Sequence, residues 1–162
     1  MSRVEVVLRV PTAERMRELG AALGQVAQAG DWFLLEGPFG AGKTTFVQGL
    51  AHGLGVETPV SSPSFVLETQ HRGRLPLYHV DLYRVERLDA ELLEALEDHL
   101  YAADGVTAVE WSDRLPAELR AGATVRIQVR FGLPAAEGAR EVSLASEVER
   151  LLAAARRAAG AC

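Results

Sequence analysis

The chain has 162 residues, 48% of them hydrophobic and 24% charged, which is ordinary for a globular protein with one sizeable core. Its net charge of -5 at pH 7 argues against a protein that holds nucleic acid alone, because phosphate backbones are bound mainly by basic surfaces. The single cysteine, Cys162, excludes an internal disulfide. The apolar stretches are short and no signal-peptide pattern is evident, so we expect one cytoplasmic domain over residues 1–162 without membrane attachment.

Hydrophobic patterning predicts a strand, a helix and a second strand near the N-terminus. Residues 3–9 alternate as a strand does, and Thr12 is suited to cap a helix. The apolar stripe of that helix runs to Val26, and we expect Gly30 to end it. Residues 32–35 form a short apolar run that predicts a buried strand.

The next segment, GPFGAGKT over residues 37–44, matches the phosphate-binding pattern G-x-x-x-x-G-K-[ST] completely. Glycines let successive N–H groups point into one concavity at the start of a helix, where an anion is stabilised. Lys43, the only lysine in the chain, supplies a compact charge for the outer phosphates, and the Thr44 hydroxyl is suited to ligate magnesium. A glycine-rich turn without function is the alternative, but the flanking strand and helix patterns disfavour it. The predicted nucleotide-binding residues of this segment are Gly37, Gly40, Ala41, Gly42, Lys43, Thr44 and Thr45.

The second half of the chain predicts further strands and helices, including one antiparallel pair. Residues 58–64 are rich in proline and serine and predict an exposed loop, while residues 65–71 and 75–81 predict a hairpin. Residues 86–104 predict an acidic helix whose charged face is either simply solvated or a docking surface. Strands follow at residues 106–109, 123–131 and 140–145, and a helix at residues 146–158. The order of elements predicts an α/β protein with a three-layer, P-loop NTPase-like fold and a mixed parallel and antiparallel sheet.

Two carboxylates are expected to complete the phosphate site. Asp81 and Glu110 each follow a predicted buried strand, and open α/β sheets bind ligands at the carboxyl ends of their strands. We expect Glu110 to hold magnesium with Thr44, directly or through water, and Asp81 to position or deprotonate the attacking water. The reverse assignment stays open, because the sequence does not order two carboxylates around one ion. His79 is expected to be a core or supporting residue rather than a proton shuttle.

With these residues identified, the chain resembles the TsaE (YjeE) family of bacterial ATPases. The resemblance covers nearly the whole chain and depends on four motifs in order: Gly37–Phe46, Ser61–Phe65, His79–Arg84 and Val109–Trp111. It implies a compact domain, weak ATP hydrolysis and a role in making threonylcarbamoyladenosine on transfer RNA. It also implies assembly with a transferase pair, TsaD and TsaB, so that transfer RNA is met only through the complex.

The resemblance also assigns roles to individual residues. Thr44 and Glu110 match magnesium-binding positions, and Asp81, which we group with Lys43 as catalytic, matches a residue needed for hydrolysis. Trp111 matches another functional position. Ser62 and Ser64 match a mobile loop with a switch or partner-related role, and Thr12 matches a hydroxyl beside the adenine. Arg140 resembles a late Gly-Arg feature with one residue inserted, and it is not among the predicted site residues.

Two other functions remain open at this point. The same phosphate loop serves small-metabolite kinases, although no separate lid is evident in a chain of this length. A nucleotide-gated scaffold that binds ATP without useful hydrolysis is the non-enzymatic alternative. Specificity for GTP is disfavoured, because the chain has no second lysine with which to build an Asn-Lys-x-Asp motif.

Overall fold

A computed structural model describes residues 3–38, 40–60, 68–83, 85, 89–100, 104–131 and 139–160. Strands and helices alternate along most of this length. The strands are β1 (Val4–Val10), β2 (Trp32–Glu36), β3 (Glu68–His71), β4 (Leu77–Asp81), β5 (Val106–Glu110), β6 (Val125–Phe131) and β7 (Arg140–Ser146). The helices are α1 (Ala13–Val26), α2 (Lys43–Gly53), α3 (Ala90–Leu100), α4 (Ala117–Arg120) and α5 (Glu149–Gly160), with a 3₁₀ turn at Ser112–Arg114.

The strands form one sheet of seven in the order β1-β7-β6-β2-β5-β4-β3. The four central strands β6, β2, β5 and β4 pair in parallel. The β1–β7, β6–β7 and β3–β4 pairs are antiparallel. The expected α/β fold with a mixed sheet is therefore confirmed. Its parallel centre brings the carboxyl ends of β2, β4 and β5 to one edge, where an α/β sheet places its ligands.

Helices cover both faces of the sheet, as the predicted three-layer arrangement requires. Alternate residues of β2 point in opposite directions, so Phe33 and Leu35 join the core beneath α1, α2 and α5. Trp32 and Leu34 join a second core that contains residues of α3 and α4. A strand buried on both faces explains why residues 32–35 are apolar without alternation.

Several boundaries differ from the sequence-based expectations for local reasons. Helix α1 ends at Val26 rather than at Gly30, because Ala27 is already extended and Arg74 donates to the carbonyls of Gly24 and Ala27. Within the predicted helix over 86–104, the structure shows α3 at Ala90–Leu100. Asp89 accepts a hydrogen bond from the Leu92 N–H at the start of this helix. Residues 86–88 and 101–103 lie outside the described residues.

The last helix also starts later than expected. Residues 146–148 were expected in that helix, but Ser146 ends β7 and its hydroxyl accepts a hydrogen bond from the Val148 N–H. The predicted hairpin over 65–71 and 75–81 is confirmed for β3 and β4, and residues 65–67 lie outside the described residues. Sequence patterning did not predict the 3₁₀ turn or α4, since both are much shorter than the window of residues over which helical periodicity is recognised. In the described ranges, no helix has both the length and the apolar character needed to cross a membrane.

Helices α1 and α2 cross with their backbones in contact. The crossing point is lined by Gly20 of α1 and Gly49 of α2. A Cβ atom on Gly49 would lie 2.1 Å from the Arg17 carbonyl oxygen, and one on Gly20 would lie 2.3 Å from that of Phe46. Helix α2 begins at the phosphate loop, so this close approach helps fix where the loop meets its helix.

We expect Gly49→Ala to destabilise the protein although alanine favours helices more than glycine does. The added methyl group would overlap the Arg17 carbonyl, which a packed backbone cannot move away cheaply. The free energy of unfolding should fall by about 1–3 kcal/mol, which lowers Tm by several degrees. The exposed His52 of the same helix gives the control, His52→Ala, for which a change of less than about 1 kcal/mol is expected. An unchanged Tm for Gly49→Ala would contradict the packing argument.

Candidate nucleotide site

The phosphate loop joins β2 to α2 at the carboxyl edge of the sheet. Gly40 and Gly42 have φ angles of 77° and 112°, which side-chain-bearing residues rarely adopt, and Gly42 is the N-cap of α2. Gly37 passes so close to β6 that a Cβ atom would lie 2.4 Å from the Val129 carbonyl oxygen. The glycines of the motif are therefore required by backbone geometry, and the start of α2 faces the loop as an anion site needs.

Lys43 is enclosed by the loop that precedes it. Its Nζ atom donates to the carbonyl oxygens of Gly37 at 2.6 Å and Pro38 at 2.9 Å. Only 5% of the residue is exposed, and burial lowers the pKa of Lys43, while the negative charges of Glu110 and Asp81 oppose that shift. The ammonium is thus held inside the loop, and the loop pattern assigns this lysine to the outer phosphates of a nucleotide.

The two predicted carboxylates lie side by side at the ends of adjacent strands. Asp81 of β4 is directly opposite Glu110 of β5 in the parallel pairing, and both are buried. The Thr44 hydroxyl donates to Glu110, with Oγ1 2.8 Å from Oε1 and 3.1 Å from Oε2. His79 Nε2 is 2.6 Å from Glu110 Oε2. The Glu110 carboxylate therefore lies between the start of α2 and the middle of β4.

An aromatic pair borders the site. Trp111 has a φ angle of 59°, in the left-handed region, and its ring centroid is 4.0 Å from Lys43 Nζ. Tyr83 packs against it with the ring centroids 5.0 Å apart, and 43% of Tyr83 is exposed. The backbone N–H of Tyr83 donates to Asp81 Oδ1 at 2.9 Å, so the turn that carries this ring also orients the carboxylate.

Two cavities meet at the loop. The first, of about 290 Å³, is lined by Gly40, Gly42, Lys43, Thr44, Thr45, Asp81, Tyr83, Glu110 and Trp111. The second, of about 210 Å³, is lined by Thr12, Ala13, Met16, Gly40, Ala41, Gly42, Thr45 and Arg140. The structure thus gathers both carboxylates, Trp111 and every predicted loop residue except Gly37 around one pair of cavities. Thr12 caps α1 by accepting from the Arg15 N–H and also lines the second cavity, whereas Ser62 and Ser64 lie outside the described residues.

Arg140 is a site residue that sequence reasoning left out. It begins β7, almost a hundred residues after the loop, and its guanidinium reaches back to the loop backbone. Nε donates to the Ala41 carbonyl at 3.0 Å, and Nη2 is 3.4 Å from the Gly40 carbonyl. Only the late Gly-Arg resemblance pointed to this residue, because the contact depends on how β7 pairs with β6 and not on any local pattern.

The residues present fit a magnesium ion. Hydroxyl and carboxylate oxygens are its preferred protein ligands, and adjacent oxygens around an octahedral Mg²⁺ lie about 3 Å apart. Thr44 Oγ1 and Glu110 Oε1 are hydrogen-bonded at 2.8 Å, so the two oxygens are close enough to be ligands of one ion. In the described part of the chain, no group of three or more His, Cys, Asp and Glu side chains could hold a metal on its own. A cation here would therefore depend on nucleotide phosphates and water for its other ligands, which is usual for Mg²⁺.

Comparison with known proteins identifies the family. The sequence model described as threonylcarbamoyl adenosine biosynthesis protein TsaE matches residues 10–140. The chain belongs to the TsaE family. A Treponema pallidum protein named tRNA threonylcarbamoyladenosine biosynthesis protein TsaE is 37% identical over 83% of this chain and 96% of its own length. A protein of the same name from Nostoc is 45% identical over 64% of this chain, but the match spans 65% of that relative, just under two thirds.

A solved structure resembles this TsaE family chain over nearly its whole length. The crystal structure of Bacillus subtilis YdiB superposes with a TM-score of 0.73 and 25% sequence identity, covering 98% of this chain and 96% of that one. The α/β fold with its seven-stranded mixed sheet therefore has a known structural counterpart, in agreement with the expected fold class.

We expect Arg140→Lys to weaken nucleotide binding. Lysine keeps the charge but cannot contact the Gly40 and Ala41 carbonyls with a planar fork, so the loop loses a support from β7. Losing one good and one long hydrogen bond should raise the Kd of a fluorescent ATP analogue by about 3- to 10-fold. Arg130→Lys is the matched control, because Arg130 is exposed on β6 and bonds only to Gln128 among the contacts described. Equal affinities in the two variants would show that Arg140 does not support the loop.

Proposed function

We propose that this protein is a weak, Mg²⁺-dependent ATPase required for threonylcarbamoyladenosine modification of tRNA. In this proposal its ATP hydrolysis regulates or resets a transferase complex of the TsaD and TsaB type. The observation that carries the proposal is the meeting of Lys43, the Thr44–Glu110 pair and Asp81 around one cleft. Membership of a family described by threonylcarbamoyladenosine biosynthesis supports the biological role.

The geometry suits phosphoryl transfer to water, a reaction that depends chiefly on positioning and on charge stabilisation. The start of α2 and the Lys43 ammonium would hold the outer phosphates, where negative charge accumulates during transfer. A bound Mg²⁺ would neutralise phosphate charge, and Thr44 and Glu110 are the residues that would hold it. Asp81 lines the same cleft and can orient or deprotonate a water molecule there.

Contacts within the site support the division of labour between the two carboxylates. Glu110 bonds to Thr44, whose hydroxyl is the ligand that the phosphate-loop pattern assigns to magnesium. Asp81 instead bonds to the N–H of Tyr83 on the rim of the cleft. We therefore assign Glu110 to the cation and Asp81 to the attacking water.

The two carboxylates should respond differently to removal of their charge. Glu110→Gln should lose most of the gain in affinity that Mg²⁺ gives to a non-hydrolysable ATP analogue. Asp81→Asn should keep that gain but release phosphate at least about 100-fold more slowly, because a positioned base or orienting group is lost. Calorimetric titrations with and without Mg²⁺, together with phosphate-release assays, measure both effects. The opposite pattern would exchange the two roles, and unaltered turnover in Asp81→Asn would favour a non-hydrolytic scaffold.

Adding TsaD- and TsaB-type proteins should raise ATP turnover severalfold above a slow basal rate. Turnover is measured with and without these proteins from γ-labelled ATP. The label is followed into inorganic phosphate and into added alcohols and nucleosides. Lys43→Ala should abolish turnover and repeated rounds of tRNA modification, because the phosphates lose their ammonium. Unchanged turnover with the transferase pair, together with continued modification by Lys43→Ala, would contradict the proposal. Label in a small acceptor would favour a kinase.

A further inference from the structure

We propose that His79 is a positioning residue for the metal site. Its Nε2 atom holds one oxygen of the Glu110 carboxylate, so that the other oxygen is presented to Thr44 and to the cation. The inference rests on the magnesium site of the proposed function and adds a residue to it. His79 is not among the residues that line either cavity, so it acts through Glu110 and not on the nucleotide.

The Glu110 carboxylate contacts two neighbours, and His79 contacts only one of its oxygens. Oε2 is 2.6 Å from His79 Nε2, while Thr44 Oγ1 is 2.8 Å from Oε1 and 3.1 Å from Oε2. The His79 and Glu110 side chains are 0% and 3% exposed, so water does not compete for this contact. A carboxylate held at one oxygen cannot rotate freely, and Mg²⁺ requires its ligands in nearly ideal octahedral positions. The bond from His79 therefore fixes the ligand before a cation arrives.

Strand β4 explains how one short segment serves both carboxylates. His79 and Asp81 are two residues apart on that strand, so their side chains share a face of the sheet. Asp81 pairs directly with Glu110 of β5, and His79 pairs with Ala108, two residues before Glu110. The strand register thus places a ring under one carboxylate and a second carboxylate beside it.

The hydrogen-bonding capacity of the ring agrees with this role. An ionised carboxylate can only accept hydrogen bonds, so Nε2 is the donor in the contact. Nδ1 is buried and has no hydrogen-bond partner among the described residues. Among the described residues, the hydrogen bond of the His79 ring is the one to Glu110.

A purely structural histidine is the competing interpretation. Burying a carboxylate and an imidazole together requires removing both from water, and apolar residues of similar volume often stabilise a core as well or better. Leu77, on the same strand and the same side of the sheet, shows that this region accepts apolar residues. Stability alone therefore gives little reason for His79, while orientation of a metal ligand gives a specific one.

Variants whose side chains place a donor nitrogen at different distances from the backbone test the proposal. The amide nitrogen of glutamine extends about as far as Nε2 of histidine, whereas that of asparagine extends only as far as Nδ1. His79→Asn and His79→Leu should weaken Mn²⁺ binding, measured by electron paramagnetic resonance in the presence of a non-hydrolysable ATP analogue, by about 10- to 100-fold. His79→Gln should restore most of that affinity. Nucleotide affinity in EDTA measures any general disturbance of the site, and a loss there as large as the loss of Mn²⁺ affinity would contradict a role through the cation.

Glu110→Gln separates failure of this inference from failure of the proposed function. If Glu110→Gln binds Mn²⁺ as tightly as the parent, the metal assignment itself is wrong and the role of His79 falls with it. If Glu110→Gln loses affinity while His79→Leu keeps it, only the inference about His79 is wrong. Equal losses in His79→Gln and His79→Asn would show that the ring acts through packing instead of through Nε2.

The parent protein provides a measurement that does not depend on any variant folding. The chain has four histidines, so ¹⁵N-labelled imidazole signals can be assigned by nuclear magnetic resonance. We expect His79 to carry its proton on Nε2, protected from exchange with solvent, both without ligands and with Mg²⁺ and a nucleotide analogue bound. A His79 ring protonated only on Nδ1 in the loaded protein would have no donor for Glu110 and would overturn the proposal.

Discussion

The buried charge of Glu110 is the constraint on which the site depends. An ionised carboxylate removed from water must be compensated by hydrogen bonds or opposite charge, or folding becomes unfavourable. Glu110 is 2% exposed, and its compensation comes from the Thr44 hydroxyl and the His79 ring, with the Lys43 charge nearby. These groups belong to α2 and β4, while Glu110 belongs to β5. Satisfying one carboxylate therefore fixes the start of a helix against two adjacent strands.

The helix can meet this requirement only if its axis is correctly placed. Crossing α1 at glycines brings the backbones of α1 and α2 together, and α1 in turn packs on the core that lies over the central strands. The antiparallel strand β7 supports the loop from the other side, because its Arg140 side chain donates to the loop carbonyl of Ala41. The phosphate loop is thus supported by its own helix, by a neighbouring helix and by a strand almost a hundred residues away. Only the first of these supports is local in sequence.

The difference between contacts that are local in sequence and contacts that are distant explains what could be predicted from the sequence. The strand, loop and helix around Lys43 follow from a continuous motif, and Asp81 and Glu110 follow from short apolar strands that end in an acid. The mixed sheet followed from a recognisable hairpin. The contact between His79 and Glu110 needs the register of β4 on β5, and the contact of Arg140 needs that of β7 on β6. The end of α1 was placed too late because Arg74, distant in sequence, satisfies its last carbonyls.

The same geometry explains why the only lysine of the chain occurs here. Lys43 Nζ lies between two loop carbonyls, at 2.6 and 2.9 Å, and the Trp111 ring, at 4.0 Å. A planar guanidinium is wider and presents its donors in a fixed fork, so it does not fit this enclosure as a compact ammonium does. The carbonyls are neutral acceptors, whereas phosphate oxygens carry negative charge and attract the ammonium by a Coulomb interaction as well. In the proposed nucleotide complex, phosphate oxygens would therefore compete with the carbonyls of Gly37 and Pro38 for the Lys43 ammonium.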